Sequence, residues 1–454
     1  MSTNFKLKFK KIILLLGDII CLYLALFLSL VIRFYDKFNW ELFIRHLPYF
    51  SIVFIFWMLS VFSFRFYETN KPSLKKYQLL LAISNFSIIN FFISILYFYI
   101  IPQNLITPKT ILVINIVVFG LLFYLWRTLA SKILYSQSSK KNTIIITNDE
   151  NLVQAIINKP ELEFNIQACV DLGTNFISSN LEKVKINDIY NFIKENNILN
   201  IIIDEDILNK NQISVELSRC LNLRVNFIRT NDFYEQFLGK VSIKNINPVW
   251  LINNFNESQK WAFDVFKKIF DKILALIFLI PSLLVTPIII LLIKIDSRGS
   301  VFFTQIRTGQ DNKKFLAIKF RTMHSDAEKN GPQWAQKNDQ RITKIGKFLR
   351  KTRLDEIPQL INIIKGDMSL VGPRPERPEF IDKLEKEIPF YKERLLVKPG
   401  LTGWAQINYP YGNSIQDSLE KLQYDLYYVK HRSLVLDLSI ILKTIHTVIK
   451  KGGM

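Results

Sequence analysis

Residues 273–293 read ILALIFLIPSLLVTPIIILLI, 21 positions without a charge, with Pro281 and Pro287 inside them. Lys267, Lys268 and Lys272 precede the run and Lys294 follows it. By length it could cross a bilayer, which takes about 20 apolar residues as a helix. Each proline removes a helix donor and favours a kink or break. With lysines at both ends, charge favours a crossing in neither direction. A crossing would also carry the basic remainder of the chain to the other side of the membrane. The stretch is therefore expected to form a helix–break–helix hairpin, 273–293, that enters and leaves on one face.

Toward the N-terminus, four more apolar runs fill the first third, at 12–32, 47–64, 79–101 and 111–129. Each approaches the length of a transmembrane helix. Asp18 lies inside the first run and is expected to have a structural role near the interface. Basic residues set the orientation. Lys6, Lys8, Lys10 and Lys11 precede the first run; Arg65, Lys71, Lys75 and Lys76 separate the second from the third; Arg127, Lys132, Lys140 and Lys141 follow the fourth. The opposite loops hold Arg33, Lys37 and Arg45 in one and Lys109 in the other. A membrane four-helix unit over 1–141, with both ends cytoplasmic, follows.

Residues 142–255 are expected to form a Rossmann-like α/β domain. Strands are expected at 142–147, 164–170, 198–205 and 224–229, with helices at 152–157, 188–196 and 215–223, an alternation that suits a parallel sheet. The first strand-to-helix turn, Thr147-Asn148-Asp149-Glu150, lacks glycine, so no dinucleotide fingerprint is present. The third domain, 256–454, holds the hairpin and a mixed α/β body. Its last segment, 419–451, suits either an amphipathic surface on the bilayer or packing on the domain's own core.

The chain of 454 residues is 49% hydrophobic yet carries a net charge of +20, so its apolar residues must be concentrated in blocks. Beside membrane spans such an excess reads as cytoplasmic loops near lipid headgroups; alone it would also suit nucleic acid or a phosphorylated substrate. Cys21, Cys169 and Cys220 show no pairing or CxxC pattern, and four scattered histidines suggest no metal site. No secretory signal is read at the N-terminus, because the first run is too long.

The densest polar cluster is Arg353-Leu354-Asp355-Glu356-Ile357-Pro358-Gln359-Leu360, near Arg341, Lys344, Lys347, Arg350 and Lys351. Nearby cations are expected to depress both carboxylate pKa values and keep the pair ionised. An ionised aspartate can attack phosphorus, and an adjacent carboxylate can hold Mg²⁺ together with substrate phosphates. Most such pairs are solvated surface, so the surroundings must decide. In Gly372-Pro373-Arg374-Pro375 the flanking prolines hold Arg374 extended or in a turn, fit for bidentate phosphate contact. In the strand FLAIKFRTM, Lys319 and Arg321 share one face and Phe320 takes the other. Cations of this kind are the main catalytic device of phosphoryl transfer.

KIDSRGSVFFTQIRTG, KFRTM, RLDEIPQLINIIKGDMSLVGPRPERPEF, KPGLTGWAQIN and YDLYYVKHRSLVLDL resemble the bacterial sugar transferase family, the monotopic phosphoglycosyl transferases. Four N-terminal spans and a degenerate Rossmann-like domain extend that resemblance to the large members, which start exopolysaccharide, capsule or O-antigen synthesis on undecaprenyl phosphate. The resemblance implies a transferase for substituted phosphate groups in the bacterial cytoplasmic membrane, its catalytic domain on the cytoplasmic face. Asp355 would be the nucleophile toward a UDP-sugar, releasing UMP; Glu356 would help hold Mg²⁺; undecaprenyl phosphate would then accept the hexose-1-phosphate by a ping-pong route. Lys319, Arg321, Arg350 and Arg374 are the phosphate-binding candidates, and Arg353, Asp367 and Asp425 complete the candidate set. The family's Ser-Pro hairpin break appears as Thr286-Pro287, whose hydroxyl can bond a freed carbonyl. Its GPVFF phrase appears as GSVFF. A homo-oligomer is left open, and no nucleic-acid partner is expected. Two other readings are a catalytically inactive, membrane-anchored assembly or regulatory protein, which predicts a damaged carboxylate pair or PRP turn, and a nucleic-acid-binding protein, which predicts basic motifs interleaved with aromatics. The sequence keeps the carboxylates and the turn.

Overall fold

The computed structural model describes residues 3–63, 76–100, 109–135, 141–158, 164–171, 181–209, 211–255, 260–324, 327, 339–409, 412 and 414–451. Arg65, Lys71, Lys75 and Lys140, read above as cytoplasmic, lie outside them, as do the run ends Phe64 and Ile101. The chain divides into two compact units, Met1–Phe233 and Tyr234–Met454.

The first unit opens with α1 (Thr3–Phe34), α2 (Trp40–Ser63), α3 (Lys76–Ile100) and α4 (Lys109–Tyr135). α1 packs along α4, and α3 lies against both α2 and α4. Phe50, Trp57, Phe86, Phe119 and Phe123 fill the centre, with Phe86 and Phe123 edge-on at 5.3 Å. Ile20, Ile88, Leu121 and Leu125 point outward. Helices apolar on all faces suit a lipid surround. Stretches in α1, α2 and α4, and a further helix in the second unit, are long and apolar enough to cross a membrane, and the chain is a membrane protein. Inside the bundle, Asp18 pairs with Arg127, and Trp57 Nε1 donates to Ser94 Oγ at 2.9 Å.

Next comes an all-parallel five-stranded sheet, formed by β1 (Lys141–Ile146), β2 (Phe164–Val170), β3 (Glu182–Val184), β4 (Asn200–Ile203) and β5 (Asn226–Arg229) in the order β3-β2-β1-β4-β5. Helices α5 (Glu150–Ile157), α6 (Ile189–Glu195), α7 (Glu205–Leu208), α8 (Asn211–Arg219) and α9 (Thr230–Phe233) connect or follow the strands. Asp204 leaves β4 and accepts hydrogen bonds from Thr147 Oγ1 at 2.6 Å, Thr230 Oγ1 at 2.5 Å and the Asn148 amide at 3.2 Å. A carboxylate thus occupies the strand ends where a glycine turn would cradle phosphates. That capture also ends β4 two residues before the expected boundary.

In the second unit, α10 (Pro248–Asn254) precedes α11 (Trp261–Asp296). Val241, Ile246 and Trp250 pack with Ile381, Leu384 and Leu422, so this stretch, assigned from sequence to the middle domain, buries its apolar side chains in the C-terminal unit. α11 is one uninterrupted helix, a correction to the break expected at Thr286-Pro287. Thr286 Oγ1 donates to Ser282 O at 2.8 Å and Ser282 Oγ to Leu279 O at 2.7 Å. The Thr286 hydroxyl thus bonds its own i−4 carbonyl rather than the one Pro287 frees, an arrangement that bends a helix without ending it.

The ribbon β6 (Phe302–Thr308) and β7 (Lys314–Phe320) follows antiparallel, then α12 (Lys344–Thr352), α13 (Gln359–Lys365), β8 (Ser369–Val371), α14 (Pro378–Glu387), β9 (Gly400–Thr402), α15 (Trp404–Asn408), α16 (Ile415–His431) and α17 (Leu434–Lys451). The two flanks of α11 are fixed to this same body. Toward the N-terminal end Ser369 Oγ donates to Asp271 at 2.6 Å, and Lys267 pairs with Asp437 of α17. Toward the C-terminal end the Ile345 amide donates to Asp296 at 2.9 Å, while Ile289 and Ile293 pack with Phe320 and Leu349. Between them Ile280 and Leu284 stand 68% and 79% exposed, an apolar face that water does not favour. α17 buries Asp437 and Ile440, so of its two sequence readings it takes packing on the domain's own core.

Candidate active site

Thr343 caps α12 by accepting from the Gly346 amide at 3.0 Å. The helix ends at Arg353, which adopts a left-handed conformation (φ 57°). That reversal feeds the short 3₁₀ turn Leu354–Glu356 and buries both carboxylates, Asp355 and Glu356. Positive φ is unfavourable for a residue with a Cβ, so the turn is held from outside. Pro358 then opens α13, whose Asn362 accepts from the Ile318 amide at 3.1 Å and donates to Leu316 O at 2.8 Å. This side chain rivets α13 to β7, the strand that carries Lys319.

Lys319 Nζ donates to Glu356 Oε1 at 2.9 Å, and Arg374 donates to the same oxygen at 2.8 Å. Arg353 lies 3.7 Å from Oε2. Arg374 is delivered by a turn clamped to β9: the Gly372 amide donates to Thr402 O at 2.9 Å and the Gly400 amide to Pro373 O at 2.9 Å. A Cβ on Gly372 would lie 2.3 Å from Lys398 O, so the strands approach this closely only with glycine there. Behind the turn, Arg394 donates to the Arg374 carbonyl at 2.9 Å, to Tyr391 Oη at 3.0 Å and to Asp425 at 2.8 Å. Arg307 holds the Pro375 carbonyl at 3.0 Å.

The pair does not titrate together. Burial pushes the Asp355 carboxyl up to about 6, and the Glu356 charge adds to it, against Lys319, Arg350 and Arg374. Burial also works on Glu356, but Arg374, Lys319 and Arg353 outweigh it and hold that carboxylate well below the usual range. The expectation that neighbouring cations would depress both values is therefore corrected for Asp355. Its neighbour takes the direct cation contacts, and desolvation with like-charge repulsion decides the rest.

Of the sequence candidates, Asp355, Glu356, Lys319, Arg353 and Arg374 come together, and Arg350 acts on Asp355 through its field while its Nε donates to Thr322 Oγ1 at 2.8 Å. Arg321 instead donates to Ser297 O at 2.7 Å and packs over Gly299 (φ 123°) at the exit of α11. Asp367 accepts from Asn362 at 3.3 Å at the end of α13. Asp425 stands behind the PRP turn. Asn362 and Arg394 were not singled out from sequence, although each is a polar side chain inside an apolar segment (QLINIIK, ERLLV).

For a metal, the donor set is two carboxylates; among the described residues no group of three His, Cys, Asp or Glu could hold an ion. Glu356 Oε1 is taken by two cations, whereas among the described residues Oε2 has the longer approach of Arg353. A site of this kind fits Mg²⁺ where substrate phosphates supply further ligands.

The family described as "Bacterial sugar transferase" matches residues 262–451. A UDP-N-acetylgalactosamine-undecaprenyl-phosphate N-acetylgalactosaminephosphotransferase of Aeromonas hydrophila is 41% identical over 240 residues, 52% of this chain and 55% of that protein. A UDP-glucose:undecaprenyl-phosphate glucose-1-phosphate transferase of Xanthomonas campestris pv. campestris is 35% identical over 263 residues, 57% of this chain and 54% of that protein. The chain thus spans about half the length of these two relatives. An uncharacterised sugar transferase, EpsL, of Bacillus subtilis (strain 168) is 36% identical over 194 residues, 42% of this chain and 90% of that protein. The chain belongs to the bacterial sugar transferase family.

Proposed function

We propose that this protein transfers a hexose-1-phosphate from a UDP-sugar to undecaprenyl phosphate, giving undecaprenyl-diphospho-sugar and UMP. The observation that carries the reading is the buried Asp355–Glu356 pair under Lys319, Arg353 and Arg374, built beside a long apolar helix. The named activities of the Aeromonas and Xanthomonas relatives support the substrate classes.

Asp355 is the nucleophile. Its carboxylate attacks the sugar-bearing phosphorus, an Asp355 oxygen–phosphorus bond forms, and the bond to UMP breaks. An oxygen of undecaprenyl phosphate then attacks the same phosphorus and restores the carboxylate. Arg374, Lys319 and Arg353 bind phosphate oxygens, and Arg350 steadies charge at Asp355. Glu356, with Asp355, would hold Mg²⁺, which when bound neutralises charge on the phosphates. Arg394, held by Asp425, fixes the backbone that presents Arg374.

We read the five-stranded unit as Rossmann-like from its strand order, and the middle of α11 as dipping into the cytoplasmic leaflet rather than crossing. A helix that crosses the hydrocarbon core leaves its two flanks on opposite sides of the membrane, whereas a bend at Pro281 and Pro287 lets one helix return both flanks to the same side. Asp271 and Asp296 are bound to one body, which supports re-entry. The distribution of basic residues in the sequence supports a reading with that body on the cytoplasmic side of a bacterial cytoplasmic membrane. Asp355→Asn is expected to abolish UMP release while insertion persists, and mass spectrometry of the wild type quenched with UDP-sugar alone is expected to find a phosphosugar on Asp355. Unchanged turnover in the variant would overturn the assignment.

A further inference from the structure

In the ribbon β6–β7, directly paired residues share a face. Phe303, Ala317 and Lys319 lie on the face that carries Lys319 to Glu356. The other face carries the pairs Phe302–Phe320, Thr304–Ile318 and Ile306–Leu316. At one end of it Phe320 is buried beneath Ile289 and Ile293 of α11 and Leu349 of α12. Phe302 stacks on Phe320 at 5.5 Å and carries the apolar surface outward. Phe302, Ile306 and Leu316 are 46%, 55% and 51% exposed. Single exposed apolar side chains are ordinary, but three in register on one sheet face form a patch that needs a partner.

We propose that this face seats on the membrane surface, resting at the headgroup boundary of an anionic bilayer. Two observations choose that occupant. The face is continuous, through Phe320, with the C-terminal turns of α11, so the inference rests on the reading that α11 lies in lipid. Its margins are basic: Lys294 and Arg298 are exposed where α11 runs into β6, and Lys314 is exposed at the far end. An apolar face rimmed by cations matches an interface rich in anionic headgroups. The seat turns the opposite face, with Lys319 and the carboxylates, away from the plane of contact. It fixes the height of the site above the lipid independently of the buried helix.

The test uses the full-length chain with Cys21, Cys169 and Cys220 replaced by serine, in nanodiscs of phosphatidylethanolamine and phosphatidylglycerol with or without brominated acyl chains. Bimane is attached at Ile306→Cys, Leu316→Cys, Gln305→Cys or Leu284→Cys. Loss of fluorescence to brominated lipid at 306 and 316, with none at 305 on the opposite face, supports the seat. Replacing phosphatidylglycerol with phosphatidylcholine is expected to weaken that loss; no change would remove the role given to the basic margins. Quenching at 284 without quenching at 306 and 316 overturns the seat while leaving α11 in lipid. Protection of 306 and 316 with contact between labels on two chains assigns the face to a second copy and likewise overturns it. Quenching at 306 and 316 but not at 284 keeps the seat and rejects the buried helix.

Discussion

Asp355 and Glu356 are adjacent, yet the fold pulls their proton affinities apart. With Asp355 near 6, its carboxylate is protonated below that pH and loses its nucleophilicity, so UMP release is expected to rise through about pH 6 and then level off. A flat rate from pH 5 to 8 would count against Asp355. The same shift has a cost in stability. A raised carboxyl pKa means that the fold disfavours the ionised form. The penalty is felt above about pH 6 and is absent below the unfolded value of about 3.9. Asp355→Asn is therefore expected to be inactive and yet more stable at pH 7.5, by about 1–3 kcal/mol on a shift of this size, with the gain gone at pH 4; thermal unfolding at both pH values checks it. Glu356 has the opposite sign. Its depressed value contributes stability above the unfolded value of about 4.3, lost as pH falls through the folded one. The sequence made the charged residues legible but not this division, because which carboxylate takes Lys319 and Arg374 depends on the left-handed turn at Arg353.

At the scale of elements, α11 is fixed by buried charge. Lys267, Asp271 and Asp437 are all buried, and Tyr428 Oη lies within 2.8 Å of Asp437 and 3.0 Å of the Val371 carbonyl, at the end of the strand that leads to Arg374. Removing one partner of a buried pair leaves its mate uncompensated. Asp437→Ala is expected to destabilise the protein by about 3 kcal/mol, read as a lower unfolding midpoint in denaturant. A change within about 0.5 kcal/mol, the usual range for surface substitutions, would contradict the buried pairing. Long apolar runs and alternating strands were legible because periodicity and length report them directly. β3 was not, since Glu182–Val184 is too short to show a period. The uninterrupted course of α11 was not either. Two prolines argued for a break, but Ser282 and Thr286 turn their hydroxyls inward, and packing on both flanks holds the helix together.

Taken whole, the molecule joins a lipid-facing bundle and a parallel sheet to a unit that carries the carboxylate site. The motifs in that unit were legible as a set because they stand in one continuous stretch. Arg394 and Asn362 act through backbone they touch only after folding, so spacing could not reveal them, whereas Asp425, a candidate from the resemblance, acts through Arg394. One contact in the bundle bears on how the chain is made. Asp18 meets Arg127 across 109 positions of sequence. During synthesis α1 emerges with a carboxylate whose mate has not yet been translated. An unpaired carboxylate in an apolar span is costly, up to about 2.5–3.5 kcal/mol at a helix centre on insertion scales. The first helix is thus expected to linger beside the insertion machinery until α4 arrives, and release into lipid becomes a joint event of the two. Nascent chains stalled before residue 110 are expected to crosslink to the translocon through α1, and chains stalled after α4 to lose that crosslink; Asp18→Leu would free the short chain early.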